Sequence, residues 1–251
     1  MAAEADVLSV SARPCLVFAC AHLCDERLFA AQVDALDEGH DCRVLVFRAH
    51  DSIGAMADAL LAAAPHRFTL IGLSLGGYVA FEVMRRAPQR VDRLVLLDTT
   101  AAADSEARRA GRHADIASVR EGGIEALIPE LPKRWLLPAH RARAELVALV
   151  ADMAKSVGAD GQLNQQLAML GRPDSLAGLA AVRVPTLVAC GAEDVVTPVA
   201  DHEAIAARIA GARLVVVPDS GHLSTIEQPA AVTEVLSAWL ADTASAVGAG
   251  R

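Results

Sequence analysis

The sequence predicts an α/β fold: a predominantly parallel sheet of about six to seven strands, flanked by helices, with an inserted helical cap. Three observations carry this. Short continuous apolar runs recur along the 251 residues, and such runs mark strands buried on both faces. Ala- and Leu-rich stretches separate most of these runs, and strands alternating with helices build a parallel sheet covered on both sides. The alternation fails once, over almost ninety residues between Asp98 and Thr186, where helical stretches stand in place of strands.

The elements follow in chain order. Leu16-Val17-Phe18-Ala19-Cys20 is the first apolar run and Val44-Leu45-Val46-Phe47 the second. A helix over 54–64 ends at Pro65, and Phe68–Leu73 forms the third strand. Residues 76–87 read as a helix that stops before Pro88, because proline cannot continue it. Leu94–Leu97 is the fourth strand. Helices are expected around 104–120, 122–130, 138–156 and 160–170, punctuated by Gly122-Gly123, Pro129, Pro132, Pro138 and Gly158. An unstructured loop of that length is improbable in a compact domain, so a helical insertion is the sensible reading. Thr186–Cys190 and Leu214–Val217 complete the strands. The helix between them, 199–210, stops at Gly211, and a last helix covers 228–242. Residues 1–99 and 181–251 thus form the core, and 100–180 the cap. About a dozen residues precede Leu16, so an opening antiparallel hairpin is expected to be reduced or missing.

Composition excludes several classes. Hydrophobic residues make up 53% and charged residues 22% of the chain, too apolar for disorder. Lys and Arg number 23 against 31 Asp and Glu, a net charge of −8, so the basic footprint of a nucleic-acid binder is missing. The apolar runs are too short to span a bilayer. The five cysteines are odd in number and sit mostly in or beside apolar runs, which argues against a disulfide framework. Glu4 and Asp6 precede the apolar stretch Cys15–Ala21 with no basic segment, so it does not read as a signal peptide. A cytoplasmic protein, monomer or homodimer, is expected.

The sharpest chemical signal is Gly72-Leu73-Ser74-Leu75-Gly76, between a buried strand and a helix. A nucleophile elbow needs this pattern: the serine sits on a strained turn, so small residues must flank it. The helix starting at Leu75 directs backbone N–H groups at the serine, where an oxyanion would develop. A serine hydroxyl needs a base, and His222 is the candidate among eight histidines. It lies in Asp219-Ser220-Gly221-His222-Leu223-Ser224, after the sixth strand, at the sheet edge where ligand sites cluster. The other histidines, His22 excepted, read as solvated surface groups. Ser224 and Glu227 have the spacing of a capping box. A carboxylate should orient the imidazole. Asp194, in Gly191-Ala192-Glu193-Asp194 after the fifth strand, is the first choice, with Glu193 beside it and Asp98 at the end of the fourth strand as rivals.

These stretches, with Leu23-Cys24-Asp25-Glu26-Arg27-Leu28-Phe29 and Leu94–Thr99, resemble the α/β-hydrolase superfamily, in its small cap-bearing bacterial esterase and lactonase branch. The likeness runs from Leu16 to Leu240. It implies acyl-enzyme chemistry at Ser74 on a small-molecule ester or lactone, with no cofactor and no metal, and a lid formed by the insertion. It also implies an oxyanion hole from the backbone N–H groups of Leu75 and His22. Here the chain departs from the family: Cys20-Ala21 replace the usual His-Gly pair, so the turn carries a Cβ at Ala21. The His22 side chain is left with three places, the pocket, solvent or the cap. Cys20 and Cys24 read as packing.

The cap is expected to set specificity, with Trp135, Leu136, Met153 and Leu223 as candidate substrate contacts. No anion clamp can be named from the sequence, and Arg172 with Asp174 reads as a hinge pair. The expected substrate is therefore neutral or weakly polar. The same triad can serve a hydroxynitrile lyase, a carbon–carbon bond hydrolase, a perhydrolase or a thioesterase, and a silent ligand-binding protein is the reading from another class.

Overall fold

The computed structural model describes residues 13–245; the segment in which an opening hairpin was to be reduced or missing lies largely outside them. Six strands form one sheet, all parallel, in the order β2-β1-β3-β4-β5-β6. They are β1 (Cys15–Ala19), β2 (Asp41–Leu45), β3 (Phe68–Leu73), β4 (Val91–Leu97), β5 (Thr186–Gly191) and β6 (Arg213–Val217).

The central strands are apolar throughout because both their faces are covered. In β1, Leu16 and Phe18 pack into one apolar cluster, while Cys15, Val17 and Ala19 pack into another on the opposite face. Helix α1 (Ala30–Leu36) lies with α9 (Pro229–Asp242) on the first face. Helices α2 (Ile53–Ala63), α3 (Leu75–Arg86) and α7 (Val199–Ala206) cover the second. The edge strands β2 and β6 are only partly buried.

Between β4 and β5 the described chain holds no strand. It forms α4 (Glu106–Gly122), α5 (Leu131–Trp135) and α6 (Ala144–Leu170). Two helices expected over 138–156 and 160–170 are one element, kinked at Gly158, whose φ of 75° and ψ of 178° only glycine adopts easily. The helix expected over 122–130 is reduced to a 3-10 turn, Ile124–Ala126. This segment shares its core with the sheet: Val119, Leu127 and Met153 belong to the same cluster as Leu16 and Phe18. Arg172 and Asp174 do not pair. Arg172 bonds Asp104, while Asp174 accepts from the backbone N–H groups of Ala103 and Leu176.

Among the described residues no helix is long and apolar enough to cross a membrane. The short loops after β1, β3, β4, β5 and β6 all lie at the C-terminal edge of the sheet, where a parallel α/β sheet offers its crevice.

Candidate active site

Ser74 links β3 to α3 with φ 53° and ψ −109°, a conformation disfavoured for any residue with a Cβ. The surroundings hold it there. Its N–H donates to the Leu97 carbonyl at 3.0 Å, and the Thr99 hydroxyl donates to its carbonyl at 2.9 Å. The turn is tight enough that a Cβ at Gly72 would overlap the Gly76 carbonyl, and one at Gly76 would overlap the Ala19 carbonyl. Neither obstacle is a flexible side chain. Gly76→Ala is therefore expected to destabilise the fold by about 3 kcal/mol or more, since the sheet and α3 must separate to admit it. Thermal unfolding measures this; a midpoint within a degree of wild type would contradict the close approach.

His222 and Asp194 come to the same point. Asp194 accepts from the Val196 and Thr197 N–H groups at 2.8 and 3.0 Å and from the Thr197 hydroxyl at 2.7 Å. Its Oδ2 lies 2.8 Å from Nδ1 of His222, and Nε2 of that ring lies 3.0 Å from Oγ of Ser74. Nδ1 facing a carboxylate carries the proton, so Nε2 accepts from the serine. Burial disfavours the imidazolium, but the charge and hydrogen bond of Asp194 outweigh it, and the His222 pKa is raised above the ordinary 6.5. The His222 cation and the Thr197 donors hold the Asp194 carboxyl low against its burial.

The rival acids serve elsewhere. Glu193 accepts from the Ser220 N–H at 3.1 Å. Asp98 is fully buried and accepts from Gly191 N–H at 2.9 Å and from the Ser224 hydroxyl at 2.5 Å. Ser224 and Glu227 accordingly form no capping box. The Glu227 carboxylate instead accepts from Gly221 N–H at 2.9 Å and Leu137 N–H at 2.8 Å and meets Nδ1 of His140 at 2.8 Å. His222 N–H donates to the Trp135 carbonyl at 2.8 Å. The histidine loop is thereby fastened to the segment following α5.

At the first turn, Cys24 N–H closes on the Ala21 carbonyl at 3.2 Å. Ala21 itself is not among the residues of positive φ; Leu23 is, at 55°. Leu23 N–H donates to the Gln165 side chain at 2.9 Å, and that amide donates onward to the Phe47 carbonyl at 2.8 Å. Among the described residues, neither Leu75 N–H nor His22 N–H has a protein acceptor. Cys20 and Cys24 are buried, which pushes their thiols up and keeps them protonated.

Ser74 and His222 open on a cleft of about 360 Å³, lined also by His22, Tyr78, Trp135, Met169 and Leu223. Of the expected substrate contacts, Trp135 and Leu223 line it. Leu136 and Met153 do not: both are buried in the apolar cluster that joins the helical segment to the sheet. His202 is not a surface group but fully buried, its Nε2 accepting from Thr99 N–H at 2.8 Å. A larger groove of about 670 Å³, beside Phe81 and Leu179, includes none of Ser74, Asp194 and His222. Among the described residues no group of three His, Cys, Asp or Glu side chains is placed to hold a metal ion.

Residues 21–235 match the model of the alpha/beta hydrolase family. The pimeloyl-(acyl-carrier protein) methyl ester esterase of Aromatoleum aromaticum is 31% identical over 189 residues, which cover 71% of this chain and 76% of that protein. A thermophilic esterase from Thermogutta terrifontis, solved with malate bound, superposes with a TM-score of 0.82 at 31% identity, covering 92% of this chain and 90% of that one. The enol-lactonase from Burkholderia xenovorans LB400 shares the fold, with a TM-score of 0.84 at 24% identity over 91% of this chain and 92% of the other.

Proposed function

The chain belongs to the alpha/beta hydrolase family, and from that premise we propose that it hydrolyses carboxylic esters or lactones through an acyl intermediate on Ser74. The observation that carries this reading is the continuous relay Ser74–His222–Asp194 at 3.0 and 2.8 Å, opening on the cleft. Esterase relatives, both 31% identical, support the same chemistry.

His222 Nε2 takes the Ser74 proton as Oγ attacks the ester carbonyl carbon. The carbonyl oxygen becomes an oxyanion, held by the N–H groups of Leu75 and His22. The imidazolium, balanced by Asp194, gives its proton to the leaving alkoxide as the carbon–oxygen bond breaks. A water then gives a proton to His222 and attacks the acyl-serine. Collapse of that second intermediate releases the acid and returns the proton to Ser74. With a lactone the alcohol stays tethered to the acyl group. Residues 100–180 act as a cap, since Trp135 and Met169 close one side of the cleft. The free cysteines support a cytoplasmic setting.

A panel of short-chain esters and lactones, with p-nitrophenyl acetate and butyrate as reporters, tests the reading. Saturable turnover is expected; no turnover and no burst from folded protein would refute it. The base must be neutral to act, and its pKa is raised, so kcat/KM should fall as pH drops through a value above 6.5. An acid limb centred below 6.5 would place the base elsewhere.

A further inference from the structure

Three guanidinium groups line the cleft with Ser74: Arg108 and Arg112 of α4 and Arg134 of α5. Two are balanced. Arg134 Nη1 lies 2.9 and 2.8 Å from the oxygens of Asp115, the carboxylate that also lines the cleft. Arg108 bonds the Val196 carbonyl, with Asp201 3.9 Å away. Arg112 shares its counter-charge: Asp104 takes its Nε at 2.5 Å and its Nη2 at 3.3 Å, and also takes Arg172 at 2.8 Å. The Asp104 and Arg172 side chains are 2% and 3% exposed, and that of Arg112 is 15% exposed. One buried carboxylate therefore faces two guanidiniums, and the three side chains together carry one positive charge in excess, with Arg112 as the member that reaches the cleft. Arg172 lies over the Tyr78 ring, 4.1 Å from its centroid, which satisfies part of its charge. Arg112 Nη1 has only Met169 Sδ at 2.9 Å and the neutral Gln166 amide oxygen at 3.3 Å. The thioether is a weak acceptor and the amide contact is long and uncharged, whereas the best partner of a guanidinium is a carboxylate.

His22 supplies a second, independent sign. Its ring lines the same cleft, edge-on to Trp135, and Nε2 is buried with no partner among the described residues. Burial, with the nearby charges of Arg112 and Arg134, lowers its pKa to about 3, so the ring is neutral at working pH. A buried ring nitrogen without a partner is costly unless a ligand meets it.

Building on the hydrolase reading, we propose that the natural substrate is an ester or lactone that itself carries an ionised carboxylate, bound by Arg112 in the cleft that the His22 ring also lines. The expectation of a neutral substrate came from a sequence in which the arginines have no visible partners. The surplus charge depends on Asp104 being shared by residues distant in the chain.

The test compares monomethyl succinate, glutarate and adipate with methyl butyrate, pentanoate and hexanoate. Acetoxy acids against alkyl acetates of matched length place the carboxylate on the alcohol side instead. One anionic series should exceed its neutral partner in kcat/KM by about tenfold to a hundredfold, the worth of one or two charge-assisted bonds. That advantage should lie in KM and shrink as salt is raised. Arg112→Gln should lower the anionic-to-neutral ratio about tenfold or more, and Arg112→Lys should restore part of it. The glutamine variant leaves Asp104 paired one to one with Arg172, so its buried charges stay balanced. If Arg112 were only structural, both series would fall together and the ratio would hold. Equal or inverted preference in the wild type overturns the proposal while leaving the hydrolase reading intact. Calorimetric titration with glutarate, wild type against Arg112→Gln, decides the matter independently of turnover. Binding that weakens in the variant supports the proposal, and no binding to the wild type, or equal binding to both, overturns it.

Discussion

Ser74→Ala is expected to leave a folded protein whose ester turnover falls by ~10³-fold or more, because the members of a triad act as a unit. Alanine keeps the Cβ, so the backbone at φ 53° is no more strained than with serine. What is lost is the oxygen 3.0 Å from His222 Nε2, and with it any covalent path. Residual hydrolysis would come from a bound water and the Leu75 and His22 N–H groups. Purified variant and wild type, assayed on the same ester with circular dichroism as the folding control, give the comparison. A variant retaining most of its activity would remove Ser74 from the mechanism.

The second large effect separates two carboxylates that both stand at strand ends. Asp194→Asn should lower turnover on the order of 10⁴-fold at neutral pH, because an amide lets the imidazole take the wrong tautomer and gives its cation no counter-charge. Asp194 Oδ2 lies 2.8 Å from Nδ1 of His222, so the loss falls on the base directly. Asp98→Asn should cost no more than about tenfold. Asp98 touches Gly191 and Ser224 rather than the imidazole, and burial, then the neighbouring Asp194 charge, pushes its carboxyl up. Its task is to tie the start of the Asp194 loop to α8 (Ser224–Glu227), and an asparagine oxygen still accepts one of those bonds. Kinetics of the two variants on one ester would contradict this if the Asp98 change were lethal and the Asp194 change mild.

The fold was readable wherever a strand is buried on both faces. β1, β3, β4 and β5 announce themselves as apolar runs because each residue must satisfy one core or the other. The edge strand β2 was misplaced by about two residues. Its true span, Asp41–Leu45, begins with a charged, half-exposed stretch in which Arg43 pairs with Asp41, and an edge needs no continuous apolar run. The elbow at Ser74 and the turn at His222 were legible because their glycines answer to local geometry. The supports of the site were not. Glu227 reaches Leu137 across 90 residues, and Gln165 reaches Leu23 across 142. Such pairings have no local signature, though three glutamines at 162, 165 and 166 on a helix otherwise rich in Ala and Leu were a visible oddity. His202 was misread for the same reason: its partner, the Thr99 N–H, is 103 residues away.

Ser74, activated by His222, should carry the covalent intermediate, and peptide mass mapping after treatment with a fluorophosphonate reads this out on the chain itself. The adduct is expected on Ser74 alone in the wild type, on no residue in Ser74→Ala, and at a rate reduced by about 10³-fold or more in His222→Ala. An adduct on another serine, or labelling of Ser74 at the wild-type rate without His222, would contradict it.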